Sequence, residues 1–158
     1  GFSRAVFRQS LIALSWLPPV IFFENHLYSV ASVEGISMKP TFNPESNLMR
    51  RDLVLEDKTW TWRKGTNGKA LFKRGDVVTF KSPLTTKVAV KRVTGIAGDI
   101  VKTRPPREGR VVTIPEGHVW VEGDEQFHSR DSNEYGPIAI NLIESKLTKI
   151  IWPPSRFG

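Results

Sequence analysis

Cysteine is absent from this chain of 158 residues. Without cysteine the fold has no disulfide framework, no thiolate nucleophile and no zinc site built from cysteine ligands. Histidine is scarce as well, and His26, His118 and His128 are too far apart in the sequence to indicate a metal cluster. The absence of cysteine is compatible with any compartment, so it does not locate the protein.

Beyond the N-terminus the sequence also lacks a hydrophobic pattern with a helical period over three turns. It contains short runs of β-branched residues separated by turn sequences rich in Gly, Pro and Asp. Such spacing predicts a mainly β fold, either an antiparallel β-barrel or a folded antiparallel sheet. The predicted strands cover residues 28–33, 52–56, 76–80, 88–93, 99–102, 110–114, 118–121 and 147–152.

Negative charge is the scarcer sign, with 16 acidic against 23 basic residues and a net charge of +7. A basic chain can bind nucleic acid. Here the positive residues are spread along the sequence and no nucleic-acid motif accompanies them, so we interpret them as solvated faces and expect no nucleic-acid partner. The local excess of positive charge comprises Lys58, Arg63, Lys64, Lys69, Lys73 and Arg74.

The long apolar run covers residues 11–23 and follows Arg4 and Arg8. A membrane-spanning helix needs about 20 residues, a length that is reached by extending the run at both ends. Two adjacent residues, Pro18 and Pro19, are expected to kink this helix. The alternative is a signal peptide, but Glu-Asn-His follows the run in place of a small-residue cleavage site. We predict a single anchor with its N-terminus on the inner side of the membrane.

These features predict an N-terminal tip on the inner side of the membrane with an anchor helix over residues 1–29, and a β-rich domain over 30–158. Within that domain, residues 56–75 are expected to form a basic hairpin insertion that carries Trp60 and Trp62. Alternate residues of a strand share a face, so both indoles are expected to point the same way. They could contact the membrane interface or a partner, or the hairpin could cover the barrel.

Ser37 is the candidate nucleophile because it lies between Gly35 and Pro40, where the chain is expected to turn sharply. In such a turn a backbone N–H can be exposed and can stabilise an oxyanion. A serine attacks only if a base takes its proton. Lys91 is the best candidate, since it lies in the short apolar strand at 88–93.

Burial disfavours the ammonium form, so a buried lysine can act as a base near neutral pH, and a Ser/Lys pair is a recognised acyl-transfer variant. Strand alternation leaves open whether Lys91 or Arg92 faces inward. His128 is a weaker rival base, because sequence neighbours on one loop rarely form a triad. We interpret Ser129 as a hydroxyl that orients the lysine amine and Asp131 as a carboxylate that fixes the loop.

Four motifs in this order resemble those of the type I signal peptidase family, and the resemblance extends from about Val30 to Trp152. It implies that Ser37 is the nucleophile and Lys91 the general base. Met38 in the nucleophile motif and Gly35 just before that motif are implied as supporting residues. The motifs are Ser37-Met38-Lys39-Pro40-Thr41, Arg74-Gly75-Asp76-Val77-Val78, Lys91-Arg92-Val93-Thr94-Gly95-Ile96-Ala97-Gly98-Asp99, and Gly123-Asp124 through Asp131-Ser132 to Gly136.

Within the family, the short chain and its ending Ile151-Trp152-Pro153-Pro154 are similar to those of the mitochondrial inner membrane protease. The segment Asp131-Ser132-Asn133 resembles the closing motif of subunit 2. Subunit 1 and bacterial members carry Arg at the position of Asn133. Two residues depart from the family pattern. Glu125 replaces the usual Asn, and Gly35 stands where some bacterial members have a serine that donates to the oxyanion.

The resemblance implies a Ser/Lys endopeptidase of the mitochondrial inner membrane with its catalytic domain in the intermembrane space, which removes sorting sequences from imported proteins. The implied partners are a sister catalytic subunit, inner membrane lipid, and precursor polypeptides bound as extended strands. The mechanism requires no metal and no cofactor. Two alternatives stay open: a non-catalytic membrane assembly subunit, and a self-cleaving repressor-type Ser/Lys protease.

Overall fold

The computed structural model describes residues 2–45, 51–60, 71–85 and 87–158. Within these ranges the chain begins with helices α1 (Phe2–Ser15) and α2 (Leu17–His26) and continues mainly as β-structure. The strands are β1 (Tyr28–Ser32), β2 (Leu53–Asp57), β3 (Val77–Lys81), β4 (Val88–Ile96), β5 (Ile100–Lys102), β6 (Val111–Thr113), β7 (His118–Glu122), β8 (Ile138–Ala139) and β9 (Ile143–Trp152). A four-residue helix, α3 (Ser132–Tyr135), lies between β7 and β8.

The N-terminal helix is interrupted at Trp16, directly before the two prolines. Pro18 and Pro19 lie in the first turn of α2, where a missing N–H costs no intrahelical hydrogen bond. The Val20 N–H donates to the Trp16 carbonyl at 3.1 Å, which continues the chain into α2. The predicted kink is therefore present, and it divides the apolar run into two helices.

Residues 4–26 together have the length and composition of a membrane span. This segment has 23 residues, a mean hydropathy of 1.4, and no side chain buried against the rest of the protein. Its large apolar side chains are exposed on every side, as expected for a helix that contacts lipid. A signal sequence has the same properties, so the choice of an anchor rests on the missing cleavage site.

Seven strands form one antiparallel sheet in the order β1-β2-β9-β3-β4-β7-β8, and β5 pairs with β6 in a separate ribbon. The mainly antiparallel β fold is thus confirmed. Among the described strands, the two end strands β1 and β8 do not pair with each other. The arrangement is therefore an open folded sheet and not a closed barrel. Two features were not predicted: β8, with two residues, and the start of β9 at Ile143.

The core consists of two clusters of buried side chains, one of which includes Trp60 and Phe72. Trp60 is 5% exposed, packs edge-on against Phe72 with ring centroids 5.1 Å apart, and donates its indole N–H to the Glu144 carbonyl at 3.2 Å. Trp60 therefore covers the sheet and is not a surface contact. Trp62 and the rest of residues 61–70, half of the predicted insertion at 56–75, lie outside the described residues.

Strand register determines which backbone edge is free beside the first part of β4. β3 pairs with β4 along its length, and Val78 lies opposite Lys91. On the other side, β7 pairs with β4 only from Arg92 onward, where Arg92 lies opposite Glu122. The β7 side of Val88–Lys91 is therefore unpaired within the described sheet. The chain leaves the edge strand β1 and turns toward this same region.

The division into an anchor over 1–29 and a domain over 30–158 stays a prediction, which agrees with the end of α2 at His26 and the start of β1 at Tyr28. We expect the full chain to remain in the membrane pellet after carbonate extraction, because its exposed apolar helices lose contact with lipid on release. A chain without residues 1–23 is expected in the supernatant. Release of the intact chain by carbonate would contradict the anchor.

Candidate active site

Ser37 lies in the turn that follows β1, between Val33 and Asn43, and we call residues 34–42 the nucleophile turn. Its shape depends on the residues beside Ser37. Gly35 has φ +89°, in the left-handed region that favours glycine. Met38 is only 2% exposed and packs in the second core cluster with Val77 and Leu147. The buried Met38 side chain thus fixes the turn to the sheet and leaves the neighbouring Ser37 half-buried.

The turn brings Ser37 to Lys91, although the two residues are 54 positions apart in the sequence. The Lys91 Nζ donates to the Ser37 Oγ at 2.6 Å. Lys91 is 5% exposed, so it is the inward-facing residue of β4, while Arg92 is partly exposed. The alternative with an exposed Lys91 is wrong. In its neutral form the Lys91 amine can accept the Ser37 proton across this short distance.

Burial lowers the pKa of Lys91 below its ordinary value, because the ammonium loses hydration. The carboxylates of Asp131 and Asp124 oppose this shift, since they favour the charged amine. Asp124 is itself paired with Arg92, whose guanidinium donates to both carboxylate oxygens at 2.9 and 2.7 Å. The pairing gives Asp124 a nearer counter-ion than Lys91.

Asp131 is 5% exposed and is held by three N–H groups. The Gly123 N–H donates to its Oδ2 at 3.1 Å, and the Asn133 backbone and side-chain N–H groups donate to its Oδ1 at 3.1 and 3.0 Å. The second of these bonds caps the N-terminus of α3. These bonds tie the carboxylate to Gly123 and Asn133, and Asp131 also lies close enough to influence the charge on Lys91.

Gly123 allows Ser37 and Ser129 to approach each other. A Cβ atom at Gly123 would lie 2.2 Å from the Ser129 Oγ and 2.6 Å from the Ser37 carbonyl oxygen. The Ser129 hydroxyl is buried and has no hydrogen-bond partner within the described part of the chain. Ser129 therefore lies beside the nucleophile turn, but its hydrogen bond to the lysine amine is not formed here.

Glu125 supports the turn, and His128 does not reach it. The Glu125 N–H donates to the Ser37 carbonyl at 3.0 Å, and the Glu125 carboxylate accepts from the Phe127 N–H at 3.2 Å. The His128 side chain is 62% exposed, with its Nδ1 3.7 Å from the Glu125 carboxylate. Among the described contacts, His128 has none with Ser37, and this geometry does not favour it as the base.

Sequence analysis missed a buried polar cluster behind Asp131. Glu122 is 6% exposed and accepts a bond at 2.9 Å from the Asn133 side chain and another from the Arg104 guanidinium. The Arg104 N–H in turn donates to the Asn133 Oδ1 at 2.8 Å. A carboxylate at the end of the apolar strand β7 was the available signal, since a buried charge needs a partner.

The arrangement can therefore transfer a proton from a serine hydroxyl to a buried amine. Among the described residues, no group of three or more acidic or histidine side chains could hold a metal ion.

Comparisons with known proteins show the family of this chain. A family model described as signal peptidase, peptidase S26, matches residues 4–112. Mitochondrial inner membrane protease subunit 2 of Schizosaccharomyces pombe is 49% identical over 157 residues, which cover 98% of this chain and 82% of that protein. The Saccharomyces cerevisiae protein of the same name is 41% identical over 159 residues, which cover 100% and 87%.

A solved structure is also similar, a signal peptidase I from Enterococcus faecalis V583. It is 23% identical, with a TM-score of 0.42, and the match covers 49% of this chain and 97% of that chain.

The lowered pKa of Lys91 predicts a stability effect with a definite sign. Between the folded-state pKa and the unfolded value of ~10.4, the unfolded chain binds more protons, so the contribution of this group to stability rises with pH. The penalty is complete below the folded-state pKa and absent above ~10.4. Lys91→Met keeps a similar volume and removes this penalty.

We expect the Lys91→Met protein to unfold at a higher temperature than the wild type near pH 7, with the difference narrowing toward pH 10. Thermal unfolding of both proteins across this range is the measurement. A Met variant that is less stable at pH 7 would mean that Lys91 is charged and paired in the folded protein.

Proposed function

This chain belongs to the S26 family of signal peptidases, and from that membership and the site geometry we propose that it is a serine endopeptidase with Ser37 as nucleophile and Lys91 as general base. The observation that carries the proposal is the 2.6 Å distance between the Lys91 Nζ and the Ser37 Oγ. Burial of the amine supports it, since burial lowers the pKa of Lys91 toward the working range of a base.

In the acylation step, the neutral Lys91 amine takes the proton of Ser37, and the Ser37 Oγ attacks the scissile carbonyl carbon. The backbone N–H of Ser37 is the candidate donor to the oxyanion that forms. When the tetrahedral intermediate collapses, the C–N bond breaks and the Lys91 ammonium gives its proton to the leaving amine. Ser37 is left as an ester of the substrate, and Lys91 is neutral again.

In the deacylation step, Lys91 accepts a proton from water, and the resulting hydroxide attacks the ester. The Lys91 ammonium then returns the proton to the Ser37 Oγ as the C–O bond breaks. In both steps the amine is charged while the oxyanion exists. Asp131 supports this cycle because its carboxylate favours the ammonium form, which limits how far burial lowers the pKa.

Ser129 is proposed to orient the amine. Its buried hydroxyl has no hydrogen-bond partner among the described residues, and it lies against Gly123 next to the Ser37 carbonyl. A hydrogen bond from the Lys91 ammonium would give this buried hydroxyl a partner. Asp131 is proposed to act with it by fixing the loop that carries Ser129.

The substrate is proposed to bind as an extended strand beside the dyad. Two features support this position: the unpaired β7 side of Val88–Lys91, and the outer edge of β1, which leads to the nucleophile turn. Free N–H and C=O groups on a strand edge pair with an extended peptide without a requirement for particular side chains. A protease that cuts within unfolded precursor segments needs such recognition.

The relatives named above are subunits of a protease of the mitochondrial inner membrane. We propose the same location for this chain, anchored by α1 and α2, with the catalytic domain in the intermembrane space and Arg4 and Arg8 on the matrix side. The name "subunit 2" implies a complex, so the proposed partner is a sister catalytic subunit. The proposed reaction removes sorting sequences from imported precursors.

We expect Ser37→Ala and Lys91→Ala each to lower cleavage of a precursor peptide by roughly 10⁴-fold or more, because neither half of such a pair works alone. His128→Ala is expected to retain most of the activity.

The rate of the wild type should fall as pH decreases through the lowered pKa of Lys91, since an ammonium cannot accept a proton.

The measurement is cleavage by the purified proteins, assayed with and without the sister subunit across this pH range. If the Ser37→Ala protein supports full cleavage in the assay with the sister subunit, this chain would be a non-catalytic assembly subunit. A loss in His128→Ala as large as that in Lys91→Ala would restore a Ser/His mechanism.

A further inference from the structure

We propose that Arg156 is a positioning residue for the nucleophile, because its guanidinium ties the turn that carries Ser37 to the body of the sheet. This inference rests on the proposed role of Ser37. Arg156 lies in a 3₁₀ turn, Pro154–Arg156, that follows β9. No motif of the sequence indicates it, and among the described contacts it has none with Lys91 or Ser37 themselves.

The nucleophile turn is held near Ser37 by the Glu125 N–H and by the packing of Met38, whereas the backbone bonds toward its end at Thr41 are local. Within it, the Lys39 N–H donates to the Ile36 carbonyl at 3.1 Å and the Phe42 N–H to the Met38 carbonyl at 2.9 Å. Such short-range bonds fix the shape of the turn but not its position relative to β4. A distance of 2.6 Å to the Lys91 amine requires that the whole turn be held in place.

Arg156 supplies this attachment with two arms of one guanidinium. Its Nη2 donates to the Thr41 carbonyl at the end of the turn, and its Nη1 donates to the Asp52 carboxylate just before β2. The Arg156 side chain is 25% exposed and that of Asp52 is 1% exposed. A planar fork can bridge two acceptors at once, whereas the compact ammonium of lysine has no such fixed geometry.

Asp52 extends the attachment to the start of the turn. Its Oδ2 also accepts from the Asn43 N–H at 2.7 Å, and its own N–H donates to the Asn43 Oδ1 at 2.8 Å. The Asn43 side chain then donates to the Val33 carbonyl at 2.7 Å. Val33 precedes Ser37 and Asn43 follows it, so the Asn43 side chain joins both ends of the turn, and the buried Asp52 carboxylate holds Asn43 in place.

Arg156 acts as the counter-ion of that carboxylate. Asp52 Oδ1 is buried and has no hydrogen-bond partner among the described residues. Arg156 is the cation that the structure pairs with Asp52. Removal of the guanidinium would leave a buried charge without a counter-ion, which is costly and is relieved by movement of the surrounding backbone. The backbone that would move is the segment after Ser37.

Thr41 links the turn to the strand of the base as well. Its hydroxyl accepts from the Arg92 Nη2 at 3.2 Å, while its carbonyl accepts from Arg156. Arg92 is the neighbour of Lys91 on β4. Thr41 is thus the point at which the nucleophile turn is held to β4 from one side and to the chain beyond β9 from the other.

The 3₁₀ turn is itself fixed on the sheet. The Ile150 N–H donates to the Gly158 carbonyl at 3.0 Å, and the Gly158 N–H donates to the Ile150 carbonyl at 3.2 Å. This closed pair folds the segment back on β9, which lies between β2 and β3. Arg156 therefore reaches the turn from a rigid element, as a positioning residue must.

The test uses the full chain in detergent micelles, with Arg156→Lys as the principal variant and Arg156→Ala as the stronger one. Arg74→Ala is the matched control, because Arg74 forms an exposed two-bond pair with Asp99 and does not contact the turn. Three quantities are measured: kcat and KM for a precursor peptide, the pH dependence of kcat/KM, and amide hydrogen exchange of Phe42 and Asn43.

For Arg156→Lys we expect a kcat lower by roughly 10- to 100-fold, because displacement of the nucleophile by about 1 Å has an effect of that size. KM and the acid limb of the pH profile should be unchanged, since the substitution alters neither the free edge of β4 nor the burial and the two carboxylates that shift the pKa of Lys91. Exchange at Phe42 and Asn43 should be faster. The Arg74→Ala control should match the wild type in all three.

A folded Arg156→Lys protein with the kcat of the wild type would overturn the inference, as would a lower kcat without faster exchange at Phe42 and Asn43. If Arg156→Ala does not fold, the lysine variant decides. A wild type that cleaves nothing would instead refute the proposed function. In that case the exchange measurement still shows whether Arg156 holds the turn.

Discussion

The burial of one amine beside one hydroxyl governs the design of this site. Lys91 is 5% exposed, and its Nζ lies 2.6 Å from the Ser37 Oγ. A lysine in water would be protonated and could not accept a proton. Burial on β4 shifts the balance toward the free amine, while Asp131 and Asp124 oppose that shift. The site therefore needs an apolar sheet around the Lys91 amine. It also needs the carboxylates of Asp131 and Asp124 to lie near the amine without direct contact.

Those carboxylates are themselves restrained, which keeps their influence moderate. Asp124 is paired with Arg92, and Asp131 accepts bonds from Gly123 and Asn133. An unrestrained carboxylate in direct contact with Lys91 would stabilise the ammonium and abolish the base. The cluster of Arg104, Glu122 and Asn133 is joined to Asp131 through the Asn133 side chain. The polar residues of the site thus act mainly through position.

Much of this could be predicted from the sequence, since strand signals and the Ser37 and Lys91 motifs are local. Eight predicted strands are present within a few residues at most ends. The orientation of Lys91 was not predictable from alternation, because Lys91 and Arg92 are adjacent cations with apolar neighbours on both faces. Trp60 was ambiguous for a similar reason. Partners such as Asp52 and Arg156 depend on tertiary contacts that no local pattern encodes.

The bonds made by Arg156 also bear on the order in which the molecule is completed. They join positions separated by 104 and 115 residues, and closure of such long loops is entropically unfavourable until the intervening sheet exists. The nucleophile turn can be locked only after β9 and the segment behind it have folded. A nascent or partly imported chain would contain Ser37 and Lys91 without their final alignment. The proposed peptidase activity would therefore appear only in the last stage of folding.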